Sequence, residues 1–132
     1  MDIIVDFPGG ARVDAHFRGH NLPTDQPPQG GGQDAAPMPF ELFLSSIGTC
    51  AGIYVLGFCR SRGIAYDKIR IVQTQEYDPQ TNLPSKVTLD IQLPPDFPEK
   101  YKDAVIRSAD QCKVKKTIEH PPAFEVKASI TA

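Results

Sequence analysis

The chain is poor in the features that would assign it quickly. It has only three cysteines in 132 residues, at positions 50, 59 and 112. An odd number at wide spacing does not make the disulfide framework of a small secreted domain, so these are expected to be thiols or transient redox partners in a reducing compartment. There is no excess of positive charge: 14 Lys and Arg against 16 Asp and Glu give a net charge of -2. General attraction to nucleic acid or an anionic membrane is therefore not expected. His16, His20 and His120 share no metal-ligand spacing with the cysteines, which argues against a zinc site. Gly30-Gly31-Gly32 lacks the Lys-Ser/Thr pair of a phosphate-cradling loop. No repeat or low-complexity segment occurs, and the opening MDIIVDFPGG has neither the basic start nor the apolar core of a secretory signal. A cytoplasmic protein is expected, and its length suits one domain spanning 1–132.

What is present is one long apolar segment, Pro37–Gly63, without a charged residue between Leu42 and Cys59. Its apolar positions are not confined to a stripe, so it reads as a buried central helix. Pro37 and Pro39 suit a first turn, Glu41 favours the positive helix end, and Arg60, Arg62 and Gly63 suit the other. Ser45, Ser46, Gly48, Thr49, Gly52 and Gly57 dilute it below the roughly 20 predominantly apolar residues a bilayer span requires. Gly48 and Gly52, one turn apart, predict a shallow groove for another helix beside Cys50. In isolation, Cys50 would read as a small buried hydrophobe.

Around this helix the pattern predicts strands. Ile3–Phe7 and Arg12–Phe17 flank the Pro8-Gly9-Gly10 turn, and residues 18–36 form a long Pro- and Gly-rich loop. Lys68–Tyr77 and Ser85–Leu93 predict a second hairpin. A second helix follows, with Tyr101, Ala104, Val105, Ser108, Ala109 and Cys112 on one inward stripe. Lys113–His120 either continues that helix or begins a new turn. Phe124, Val126, Ala128 and Ile130 then alternate as a last strand. The order predicts an α+β fold with the central helix laid on antiparallel sheet.

Cys50 and Cys59 are nine residues apart, and at about 100° per residue they fall on opposite faces of one helix, about 13 Å apart along it. They cannot pair. Cys112 could meet Cys50 wherever the two helices pack.

The run PMPFELFLSSIGTCAGIYVLGFCRSRGI around Cys50, with the glycine-rich loop before it and QCKVKKTI around Cys112 after it, resembles the OsmC/Ohr superfamily of peroxide-reducing proteins, most of all its OsmC-like branch. The resemblance implies an OsmC-like fold and an intertwined homodimer with each site between chains. It implies reduction of organic hydroperoxides without a cofactor, Cys50 as the peroxidatic and Cys112 as the resolving thiol, and a small or lipoyl-type dithiol as reductant. It also implies an arginine partner, for which Arg12 and Arg18 are both open with Arg18 favoured, and a glutamate. Phe40 stands where that glutamate normally lies, and Glu41 is one place later. The proline and small polar residue that commonly follow the second cysteine are replaced by Lys113 and Lys115. A thiolate nucleophile needs a depressed pKa, normally from a cation, and Lys113, Lys115 and Lys116 have two readings, as charges that help to ionise Cys112 or as a solvated basic turn. Phe40, Phe43, Ile47 and Tyr54 are expected to line the pocket for the substrate's apolar tail. The alternative reading is a non-catalytic dimer of the same fold that binds a small hydrophobic ligand.

Overall fold

The computed structural model describes residues 1–131. It is an α+β chain whose internal contacts divide it into two compact units, one of residues Met1–Ser46 and one from Ile47 onward.

In the first unit, strands β1 (Ile4–Gly9), β2 (Arg12–Phe17) and β3 (His20–Leu22) form one antiparallel sheet in that order. Val5 faces Ala15 and Asp6 faces Asp14, with a bulge before Gly9 where Pro8 cannot donate to the ladder. The third strand was not expected. It pairs through a two-residue turn at Arg18 and Gly19, both at positive φ (49° and 80°), so Phe17 faces His20. That geometry matches the twist of a tight hairpin, and it places Arg18 at an exposed tip.

The glycine-rich loop is tied down by a carboxylate. Asp25 is 2 % exposed and accepts the backbone N–H groups of Gln26, Gln33 and Ala35 at 2.8, 3.3 and 3.0 Å. Gly32 is required here, since a Cβ would lie 2.0 Å from the carbonyl oxygen of Gln26. The Ala35 N–H first, then that of Gln26, hold the Asp25 carboxyl below its ordinary range. Stability from a depressed carboxyl is present above its unfolded pKa of about 4 and is lost as pH falls through the lower folded value. Asp25→Asn should therefore lower the thermal midpoint at pH 7, and the gap to wild type should close in acid. A gap that stays constant from pH 7 to pH 2 would show that the charge contributes nothing.

Helix α1 runs Pro39–Ser61, close to the predicted bounds. Glu41 Oε1 accepts the Met38 N–H at 2.9 Å, the reciprocal half of a capping box at the helix start.

In the second unit, β4 (Arg70–Tyr77) and β5 (Pro84–Gln92) make a two-stranded antiparallel sheet, with Ile71 opposite Ile91 and Gln73 opposite Leu89. Helices α2 (Lys102–Ala109) and α3 (Lys113–Glu119) follow. Ala51, Val55, Phe58 and Cys59 of α1 pack with Phe97, Val105, Ala109 and Cys112, and Ile69, Ile71, Leu89, Ile91 and Leu93 close the cluster from the sheet side. Phe58 meets Tyr101 edge-on at 5.8 Å, and the Arg62 guanidinium lies 3.7 Å from the Phe58 ring centroid.

Four expectations need correction. The small face of α1 meets a strand rather than a helix: a Cβ at Gly48 would approach Gln73 Oε1 at 2.7 Å, and one at Gly52 would touch Ile71 Cδ1 at 3.9 Å. Cys112 is not on the stripe of α2, which ends at Ala109; it is the N-cap of α3, though it does point inward. Residues 121–131 form no strand, and Phe124, Val126 and Ile130 are 87, 97 and 100 % exposed. A strand exists only by pairing, and within one chain these residues have no ladder to join. Finally, α1 is by length and composition apolar enough to cross a membrane despite its glycines and serines. The core helix of a soluble protein meets the same criterion, and α1 buries Ile47, Ala51, Val55, Phe58 and Cys59 along one stripe. Its other faces, including Ile53 and Tyr54, stay exposed, because one chain supplies covering for one side only.

Candidate redox-active cysteine pair

Cys50 sits midway along α1 and is half-buried, whereas Cys112 is 1 % exposed. The fold brings them together closely enough that each thiol shifts the ionisation of the other, and both thiols are free. What joins them is the break between α2 and α3. At Asp110 the chain leaves α2, and Cys112, in an extended conformation (φ −51°, ψ 124°), starts α3 with its sulfur accepting the Lys115 N–H at 3.4 Å. The Cys112 thiol also lies 3.9 Å from the Ile47 carbonyl oxygen on α1.

The two thiols are pushed in opposite directions. Cys50 is held below the ordinary thiol range, first by the backbone N–H of Val114, and against the opposing effect of burial also by the Cys112 thiol, the Lys113 N–H and the Lys113 charge. Cys112 is pushed up, first by burial and also by Cys50, with the Lys115 N–H working against the rise. Of the two, Cys50 is therefore the thiol that ionises first. The expectation that the lysines ionise Cys112 is therefore reversed. Lys113 acts on Cys50, while Lys115 is engaged by Asp110 and Lys116 Nζ donates to Gln111 Oε1 at 3.0 Å. The larger influence on Cys50 comes from main-chain N–H groups, which carry no signature in a sequence. Cys59 is fully buried in the core, and burial raises its thiol.

Beside Cys112 opens a groove of about 570 Å³, lined by Ile47, Val87, Leu89, Ile91, Ile106 and Ile118, with Arg107 and the Asp110–Lys115 pair at its rim. Of the four residues expected to line a substrate pocket, Ile47 does so. Tyr54 is instead fixed by its carbonyl, which accepts from Ser108 Oγ at 3.0 Å. Phe40 and Phe43 belong to the first unit, where their rings tilt against each other at 5.6 Å. Val87, Leu89 and Ile91 were legible only as one face of a strand.

The other expected site residues also lie in the first unit. Arg12 is committed to Asp14 at 2.8 Å, and Arg18 stands at the exposed hairpin tip. Glu41 is occupied at the start of α1.

An α+β fold that sets a half-buried cysteine of a long helix against a second cysteine from a later helix start defines a two-thiol protein class. A family described as OsmC-like protein matches residues 30–127, and the chain belongs to that family. Among solved structures it is similar to a putative osmotic stress induced and detoxification response protein from Psychrobacter arcticus, at a TM-score of 0.74 and 23 % identity over 90 % of this chain and 88 % of the other. It is also similar to the organic hydroperoxide resistance protein OhrB of Bacillus subtilis, at 0.54 and 18 % over 89 % and 90 %. An organic hydroperoxide resistance protein OsmC from Legionella pneumophila gives 0.52 and 16 %, with 89 % of each chain covered. At these identities the likeness is one of fold. No curated protein matches the chain.

Proposed function

We propose that this protein is a thiol-dependent peroxidase for organic hydroperoxides. The observation that carries the reading is the convergence of the half-buried Cys50 of α1, held below the ordinary thiol range, with the buried Cys112, whose sulfur lies 3.9 Å from the Ile47 carbonyl oxygen of the same helix. The Cys50 thiolate attacks the outer peroxide oxygen, the O–O bond breaks, and the leaving alkoxide takes a proton to become the alcohol. Cys50 is left as a sulfenic acid. The Cys112 sulfur then displaces the hydroxyl, which leaves as water with the Cys112 proton, and a disulfide remains. An external dithiol of the small or lipoyl type restores both thiols and is itself oxidised to a disulfide.

The apolar groove beside Cys112 suits a substrate tail, and its volume lies within the range of small-molecule pockets. Arg18 is the arginine proposed to accompany Cys50, because Arg12 is already paired with Asp14. Glu41 is assigned to capping α1. The working form is proposed to be a homodimer in a reducing, cytoplasmic setting. Its support is the exposed apolar surface of α1, at Ile53 and Tyr54, and the alternating Phe124, Val126 and Ile130, which are patterned as a strand in search of a partner.

Titration with cumene hydroperoxide tests the reading. The expected result is stoichiometric consumption of peroxide and a Cys50–Cys112 disulfide found by mass spectrometry of the non-reduced digest. Unchanged free thiol under excess peroxide would reject it and favour the groove as a site for a hydrophobic ligand.

A further inference from the structure

A hydroxyl inside a helix usually bonds back to a carbonyl of its own turn. Ser45, Ser46, Ser61 and Thr117 do so, each donating to a carbonyl three or four residues earlier. Ser108 does not. Its Oγ leaves α2 and donates to the Tyr54 carbonyl of α1 at 3.0 Å. Four residues on, the Cys112 thiol lies 3.9 Å from a second carbonyl of α1, that of Ile47. Ile47 and Tyr54 are about two turns, or roughly 10 Å, apart along α1, and Cys50 lies between them. Residues 108–112 are therefore fastened at both ends to the length of α1 that carries Cys50.

The chemistry treats the two fastenings differently. For a disulfide to form, the Cys112 sulfur must leave the Ile47 carbonyl and the Lys115 N–H, which it accepts at 3.4 Å, and swing to the Cys50 sulfur. The Ser108 bond takes no part in that exchange. It holds while the other end moves, with Val105 and Ala109 of α2 packed in the core beside it.

We infer that Ser108 is the pivot of the resolving step: its bond to the Tyr54 carbonyl keeps the end of α2 on α1 while Cys112 swings, and so sets how much Cys50 sulfenic acid becomes disulfide and how much is over-oxidised. The inference rests on the peroxidase reading of the two thiols. Two reactions compete for the sulfenic acid. In one, the Cys112 sulfur attacks the Cys50 sulfur, an S–S bond forms, the S–O bond breaks, and the hydroxyl leaves as water with the Cys112 proton. In the other, the Cys50 sulfur attacks a second hydroperoxide, whose O–O bond breaks; Cys50 gains that oxygen as a sulfinic acid, and an alcohol leaves. The first depends on the orientation of two tethered groups. The second depends on the concentration of peroxide. Loosening α2 slows only the first, which makes Ser108 a positioning residue that acts through Cys112.

Oxidation by excess cumene hydroperoxide without a dithiol, followed by mass spectrometry, tests this. Ser108→Ala should raise the ratio of sulfinic acid to disulfide at Cys50 about fivefold, the effect of losing one hydrogen bond. Alanine favours the helix, so the fold is kept. Stopped-flow consumption of the first equivalent of peroxide should keep the wild-type rate, because the attack by Cys50 precedes the swing. Ser108→Thr retains the hydroxyl and should restore the wild-type ratio. An unchanged ratio in Ser108→Ala overturns the inference, as does a Ser108→Thr ratio as high as that of Ser108→Ala, or an equal slowing of the first equivalent; each leaves the peroxidase reading in place. If the wild-type protein forms no disulfide at all, the peroxidase reading fails and takes the inference with it.

Discussion

Cys50→Ser should abolish hydroperoxide turnover, a loss of about three orders of magnitude or more, whereas Cys59→Ser should retain most of it. A serine hydroxyl has no accessible anion at neutral pH, and the N–H groups of Val114 and Lys113 that favour a thiolate cannot supply one. Cys59 is fully buried, and burial raises its thiol, so it has neither the charge nor the exposure to react. Because the Cys50 pKa is depressed, the thiolate form and the rate should rise with pH and level off below the ordinary thiol range. Stopped-flow peroxide consumption across pH measures both. Equal losses from the two replacements, with equal loss of helical signal, would mean that the cysteines serve folding rather than chemistry.

Phe58→Ala should be the most damaging single truncation in the core, costing about 3–5 kcal/mol. For a chain of this size that lowers the thermal midpoint by on the order of 10 °C. The Phe58 ring is 8 % exposed, meets Tyr101 edge-on and carries the Arg62 guanidinium on its face. Its removal opens a cavity between α1 and Tyr101 and ends the cation–π contact at once. Ile53→Ala on the same helix is the reference. Ile53 is 58 % exposed in the single chain, so its truncation should cost no more than about 0.5 kcal/mol in a monomer. In the proposed dimer the Ile53 cost should grow with protein concentration, because burial there comes from a second copy. A Phe58→Ala midpoint no lower than that of Ile53→Ala would refute this account of the core.

How far the sequence could be read differs from element to element, for physical reasons. Helix α1 was legible nearly to its bounds, since an uncharged run with proline before it and glycine after it leaves few alternatives. The β4–β5 hairpin was legible because Val87, Leu89, Ile91 and Leu93 keep strict alternation. β3 was missed because a three-residue strand has no period to detect, and its pairing depends on Arg18 adopting a left-handed conformation that its side chain does not advertise. The tail at Phe124–Ile130 shows the reverse failure: alternation describes a strand's faces and cannot supply the neighbour it must bond.

The amino-acid order alone determined an α+β chain, a long apolar helix bearing Cys50, and the membership of the OsmC-like family that the run around Cys50 and Cys112 announces. The tertiary structure decided what those thiols experience. It ended α2 at Ala109, turned Cys112 into a cap whose sulfur accepts the Lys115 N–H, and set the first main-chain N–H groups of α3 where they favour the Cys50 anion, so that one thiol is lowered and the other raised. Patterns of side chains are written in sequence, whereas main-chain dipoles acquire a direction only when the chain has folded around them.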